Sequence, residues 1–290
     1  MRSFHGIGLF ILLLFSASIS GQIRHPKASP FSSVTQDIGF TTITVDYSRP
    51  AVRGRQLFGK LVPYGRIWRV GANESTKFTT NTTVNVLGNT LEPGTYALYA
   101  FPEEGSWEIA FHRNTSHWGD GRTDYNPSED AFRIRATPKK EADWQENFLI
   151  SFDSIHHNGA LMEWKWGYTV VSIPLEVDTQ KAMLDTISSS LKENPTAQTY
   201  YEAARYLQEE SLEPEKALEY VQKAIDLGGD TYYFYRVRSL LQASLGDYKG
   251  AISSAERSLQ LADAEGKDEF VRMNRENVKK WKKWVKENKE

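Results

Sequence analysis

Between positions 49 and 74 the chain concentrates side chains suited to holding an anion. Arg49-Pro-Ala-Val-Arg-Gly-Arg55, Pro63-Tyr-Gly-Arg-Ile-Trp-Arg69 and Gly71-Ala-Asn-Glu74 set five arginines and Lys60 against a single acid, Glu74. A guanidinium stays charged and presents a planar fork of N–H donors, so this cluster suits carboxylate, phosphate or sulfate groups. Trp68 adds a flat apolar ring that could stack on a sugar face. The residues predicted to meet a ligand, anionic or carbohydrate, are Arg53, Arg55, Trp68, Arg69, Asn73 and Glu74. In the competing arrangement Leu57, Phe58, Ile67 and Trp68 turn inward as an end plug, and strand acids neutralise the arginines.

Other chemistry is more thinly spread. Glu74 with a loop carboxylate (Asp120, Asp124, Glu129 or Asp130) would make a hydrolase of envelope glycan or another anionic polymer, if a pair stood about 5 to 9 Å apart. Gly-x-Ser-x-Gly and phosphate-binding glycine loops are absent, and Gly119-Asp-Gly121 reads as a turn in a second loop running to Pro127. His112 and His117 flank Asn114-Thr-Ser116 and could meet Asp120 or Asp124 at a metal. With no His-Glu-x-x-His motif, a surface loop is expected instead, with no metal and no cofactor. His156-His-Asn-Gly159 has the composition of a hairpin turn. The chain has no cysteine, which excludes disulfides, thiolate catalysis and Cys-ligated zinc. A formal net charge of −2 gives no reason to expect nucleic acid as a partner.

The elements that must position these residues follow from periodicity. Arg2, the apolar run Ile7–Phe15 and small residues up to Gly21 predict a signal peptide over 1–21, and hence an exported protein. The apolar run is too short for a stable membrane span after cleavage. Residues 22–33, with Pro26 and Pro30, read as a linker. From 34 to 177, short runs rich in β-branched and aromatic residues alternate with Gly, Pro, Asn and Asp. That pattern predicts an antiparallel β-sandwich of jelly-roll or immunoglobulin-like type.

After Pro174 the composition turns to Ala, Leu, Glu and Lys at helical spacing. Tyr201, Leu207, Ala217 and Ile225 recur 34 positions later as Tyr235, Leu241, Ala251 and Leu259. That step predicts an α-helical tetratricopeptide-like array over 178–290, with a leading helix near 180–192 and a lysine-rich final helix near 268–288. Tyr200, Tyr201, Tyr235 and Arg238 are predicted to line its groove and engage a peptide or one helix of a protein partner.

The stretch from Arg49 to Glu74 resembles the hallmark of the bacterial domain of unknown function 2911 family. Leu91-Glu-Pro-Gly-Thr-Tyr-Ala-Leu98, the Trp107 strand with Trp118-Gly119, and Trp166-Gly-Tyr-Thr-Val170 carry the same resemblance, over about residues 34 to 177. His112 departs from the family pattern. The resemblance implies an exported bacterial protein, expected in the periplasm or at the cell surface of a Gram-negative bacterium, in some members followed by a helical repeat. It implies no activity, so no catalytic residue transfers.

Overall fold

A computed structural model describes residues 25–119 and 122–287. The predicted signal peptide, Asp120, Gly121 and Lys289 lie outside the described residues. The chain divides after Val177 into two compact units.

The first unit is built from two antiparallel sheets. One has the order β1 (Phe31–Ile38), β2 (Thr41–Ser48), β3 (Thr76–Thr80), β6 (Gly94–Pro102), β7 (Trp107–His112), β8 (Asp130–Ala136). The other runs β5 (Asn89–Leu91), β4 (Val84–Val86), β10 (Gly159–Glu176), β9 (Lys139–His156). Period-2 alternation decides which face each strand buries. On β2, Thr41, Ile43, Val45 and Tyr47 are buried while Thr42, Thr44 and Asp46 are half-buried. Ile43, Phe78, Leu98, Ile109 and Phe111 of the first sheet share one core with Phe148, Ile150, Met162, Trp164 and Ile173 of the second. Each such side chain contributes about 1.5–3 kcal/mol on burial.

Two boundaries differ from the sequence reading. β1 begins at Phe31, inside the predicted linker, because Phe31–Ile38 pairs along its whole length with β2. The runs Leu161–Trp166 and Tyr168–Ile173 form one strand, β10, interrupted at Gly167. There the register against β9 shifts and φ is +60°, a conformation glycine enters without strain. The turn at His157 and Asn158 joins β9 to β10, with Gly159 paired to His156.

The second unit contains α1 (Thr179–Ser190), α2 (Ala197–Glu209), α3 (Pro214–Asp226), α4 (Tyr232–Ser244), α5 (Tyr248–Ala264) and α6 (Asp268–Glu287). Side chains at the helix starts take up orphan N–H groups: Asp178 accepts from Lys181, Asp247 from Gly250, and Thr196 forms a capping box with Thr199. Pro214 opens α3, where its missing N–H costs nothing. Leu207 and Leu241 are both buried, as are Ala217 and Ala251, so positions 34 apart do the same packing work. The six helices are compatible with a helical repeat array. No helix among the described residues is long and apolar enough to cross a membrane.

Candidate functional site

The segment between β2 and β3 forms no strand of its own but is tied into both sheets. Phe148 N–H donates to the Pro50 carbonyl (2.9 Å) and Val52 N–H to that of Glu146 (3.0 Å), which fixes the first part to β9. Trp68 and Ala100 exchange both backbone hydrogen bonds at 2.8 Å, which fixes the second part to β6. The Trp68 indole is buried, at 7% exposure. It stacks on Trp166 (5.9 Å, 18° between planes), and the rings of Phe58, Trp107 and Phe148 pack edge-on around it. Its Nε1–H donates to the Gly71 carbonyl at 3.1 Å. Gly71 has φ +145°, and a Cβ there would stand 2.9 Å from the Ser48 carbonyl oxygen, so no other residue fits without moving the backbone.

The indole therefore behaves as the end plug of the alternative reading, while the guanidiniums face outward. Arg53, Arg55 and Arg66 are exposed and Arg69 is half-buried. Together with Arg122 they line a cleft of about 460 Å3 whose apolar lining includes Leu61, Val62, Ile67, Trp68 and Trp166. Neutral carbonyls hold two of them. Arg55 donates from Nε to Val52 (2.9 Å) and from Nη2 to Ala51 (2.6 Å), and Arg53 Nη2 reaches Ala28 at 3.2 Å. Among the described residues no Asp or Glu lines this cleft. Nor do Arg53, Arg55 and Arg66 form an ion pair there. The carboxylate that senses them is Glu146. Its oxygens accept from the backbone N–H of Arg53 (2.8 Å) and the indole of Trp144 (3.0 Å). Those bonds, with the charges of Arg53 and Arg55, hold it below the usual carboxylate range.

Of the six predicted ligand residues, Arg53, Arg55, Trp68 and Arg69 meet in this cleft, and Asn73 and Glu74 do not line it. Asn73 braces the loop instead. Its Nδ2 donates to Ser29 (3.1 Å) and Ser48 (3.0 Å), and its carbonyl accepts from Arg69 Nη1 at 3.0 Å. Glu74 is exposed and bridges by its backbone to Trp118.

The histidine pair is a correction. His112 ends β7 fully buried rather than in a surface loop, because residues 108, 110 and 112 face a second small core on the outer side of the sheet. That core holds Ala97, Tyr99 and Ala110, covered by Ile67, Phe101 and Tyr125. His112 Nδ1 lies 2.8 Å from Asp130 Oδ1. Asp130 also accepts from the Tyr125 hydroxyl (2.7 Å) and Arg133 Nε (2.7 Å), and Arg133 reaches Glu108 at 2.8 Å. Burial, then the hydrogen bond to Asp130, pushes the Tyr125 phenol well above its ordinary value. His112, His117 and Glu129 can each offer one ligand atom, all within 4.8 Å of one another. Asp120 lies outside the described residues, and Asp124 is not one of the three.

Residues 29–175 match the family described as "Protein of unknown function (DUF2911)". The chain belongs to the DUF2911 family. No curated protein matches it. The DUF2911 segment spans both sheets, the arginine cleft and the histidine cluster, and stops short of the helices. Sequence reasoning overlooked Arg122 as a partner of the first loop, although its place in the Trp118–Arg122 turn was the available signal.

Outside the DUF2911 segment, the four predicted groove residues separate. Tyr201 is buried and stacks on Phe234 at 4.5 Å and 7°, so it builds the helical core rather than reaching a partner. Tyr200 packs against Tyr220 and Lys223. Tyr235 and Arg238 share a face, the guanidinium 4.7 Å above the ring, with Arg238 Nε on Ser254 at 3.0 Å.

Proposed function

We propose that the DUF2911 unit is a non-enzymatic receptor for a small organic anion, carried by an exported envelope protein. One observation carries this reading: Arg53, Arg55 and Arg66, exposed and without an ion pair among the described residues, line an apolar-floored cleft together with Arg69 and Arg122, and no described Asp or Glu lines it. Like charges held together raise each other's electrostatic energy, and an anion with carboxylate, phosphate or sulfate groups relieves it. The cleft volume falls in the range of small-molecule sites. With Trp68 packed among four rings, the apolar lining suits a ligand's hydrocarbon part better than it suits stacking on a sugar.

The two sheets are read as the halves of a sandwich whose end carries the cleft. The helices are read as two tetratricopeptide-type repeats between a leading and a closing helix, since α3 and α5 begin 34 residues apart, at Pro214 and Tyr248. Tyr235 and Arg238 then present a surface for a peptide partner.

The test is calorimetry on the full chain with citrate, inorganic phosphate, pyrophosphate and sulfate, beside Arg66→Gln and Glu74→Gln. A charge-assisted hydrogen bond contributes about 1.5–3 kcal/mol. Arg66→Gln should therefore weaken binding about 10- to 150-fold, while Glu74→Gln leaves it unchanged. Binding of none of the four, or equal binding to the arginine variant, sinks the proposal. Turnover of envelope glycan that disappears in Glu74→Gln would establish the hydrolase instead.

A further inference from the structure

The proton on His112 can be assigned from its surroundings. Asp130 has an 8% exposed side chain and already accepts from Tyr125 and Arg133, so facing His112 Nδ1 at 2.8 Å it is the acceptor of an Nδ1–H. His112 Nε2 faces Glu129 Oε2, 3.3 Å away. Nε2 is buried and makes no hydrogen bond. The pair stands within ion-pair distance yet forms no hydrogen bond. A cation between the two would give both a partner.

We propose that His112, His117 and Glu129 bind a divalent transition-metal ion, with Asp130 as the supporting carboxylate behind His112. In tetrahedral zinc sites, metal–ligand bonds of about 2.0–2.2 Å set neighbouring ligand atoms about 3.3 Å apart. That is the His112–Glu129 separation. Any wider gap in the trio belongs to His117, a half-buried ring on the loop after β7 that can turn inward. The Tyr99 hydroxyl is 3.4 Å from His117 Nδ1, a contact that ligation through Nε2 would keep. A carboxylate behind a ligating imidazole fixes its tautomer and raises its basicity. Arg113 N–H donates to the Glu129 carbonyl at 2.9 Å and holds that residue against the end of β7. Glu129 is 40% exposed at its side chain, which gives the ion a path from solvent. Two imidazoles and one carboxylate suit zinc and its neighbours, whereas magnesium and calcium prefer all-oxygen shells. Three protein ligands leave a coordination position for water or a further ligand.

The experiment uses the untagged full chain stripped with EDTA, titrated with zinc by calorimetry and with cobalt by visible absorption. Magnesium and calcium serve as controls. One zinc per chain is expected, with cobalt d–d bands of a four- or five-coordinate site. His117→Ala and Glu129→Gln reach partly exposed positions and should keep the circular dichroism of the native chain while weakening zinc more than 10-fold. Asp130→Asn should weaken it by about 10- to 100-fold. Absence of zinc binding overturns the proposal. So does binding that persists unchanged in both His117→Ala and Glu129→Gln, which would place the ion elsewhere, for example on His156 and His157.

Discussion

If the indole at position 68 is the keystone of the excursion rather than its ligand contact, Trp68→Phe should cost stability before it costs binding. The phenyl ring keeps an aromatic plug among Phe58, Trp107, Phe148 and Trp166 but removes two things. The first is volume: a deficit of about 40 Å3 at about 24 cal/mol per Å3 gives about 1 kcal/mol. The second is the Nε1–H bond to the buried Gly71 carbonyl, whose loss adds about 1–3 kcal/mol. The sum, about 2–4 kcal/mol, corresponds to a fall in Tm of about 5–15 °C for a unit of this size. Scanning calorimetry of the full chain is the assay, with far-UV circular dichroism at 222 nm to follow the helices separately. The transition of the β unit should move and that of the helices should not. An unchanged Tm together with lost anion binding would refute the reasoning, because it would make Trp68 a ligand contact with no structural duty.

Gly71→Ala should destabilise the β unit by at least about 1–3 kcal/mol, because its Cβ would meet a backbone oxygen at 2.9 Å that cannot swing aside. A native-like Tm and native anion affinity in that variant would show that the excursion tolerates rearrangement. Glu146 has its pKa lowered from 4.5, first by the Arg53 backbone N–H, then by the Trp144 indole, with Arg53 and Arg55 adding their charge. A depressed folded value means stability present above the unfolded pKa and lost as pH falls through the folded one. Glu146→Gln should therefore flatten the acid limb of the stability curve below about pH 4.5, and an identical limb in both proteins would contradict the assignment.

The parts of the fold that were legible in the sequence were those with a strict period. The alternation Thr41 to Tyr47, the 34-residue return of Leu207 as Leu241 and the hairpin at His156–Gly159 are local patterns, and they read directly as elements. The excursion was found by its lack of any period, and Arg53, Arg55 and Arg69 were found with it. Tertiary coverage was what stayed hidden. With no dense metal-ligand motif around it, His112 was expected in a surface loop. It is buried because Ile67 from one loop and Tyr125 from another close over the outer face of β6 and β7. The same distant folding brings Glu129 to His112 and Arg122 to Arg66, pairings that no spacing in sequence encodes. Tyr201 was misplaced for a related reason: its equivalent by repeat is Tyr235, yet the ring that stacks on it is the neighbouring Phe234.

Buried plug and cationic rim are one device, because each makes the other affordable only when the loop is ordered. Fixing a residue's backbone costs about 1–2 kcal/mol, so a segment with only isolated bridges to the sheets is held largely by what it buries, here Val52, Val62, Trp68 and Val70. Val70 even stands at φ +53°, a region β-branched residues avoid. Such strain persists only where the surroundings over-determine the backbone, and here they do. Trp68 is locked to Ala100 on one side, and Thr76 N–H is bonded to the Arg69 carbonyl at 3.1 Å on the other. The strained residue lies next to Arg69, whose guanidinium is anchored on Asn73. Arginines on a loose loop would spread apart and pair with surface acids. On a loop wedged this tightly they stay beside one another around an apolar floor, the arrangement that the proposed anion cleft requires.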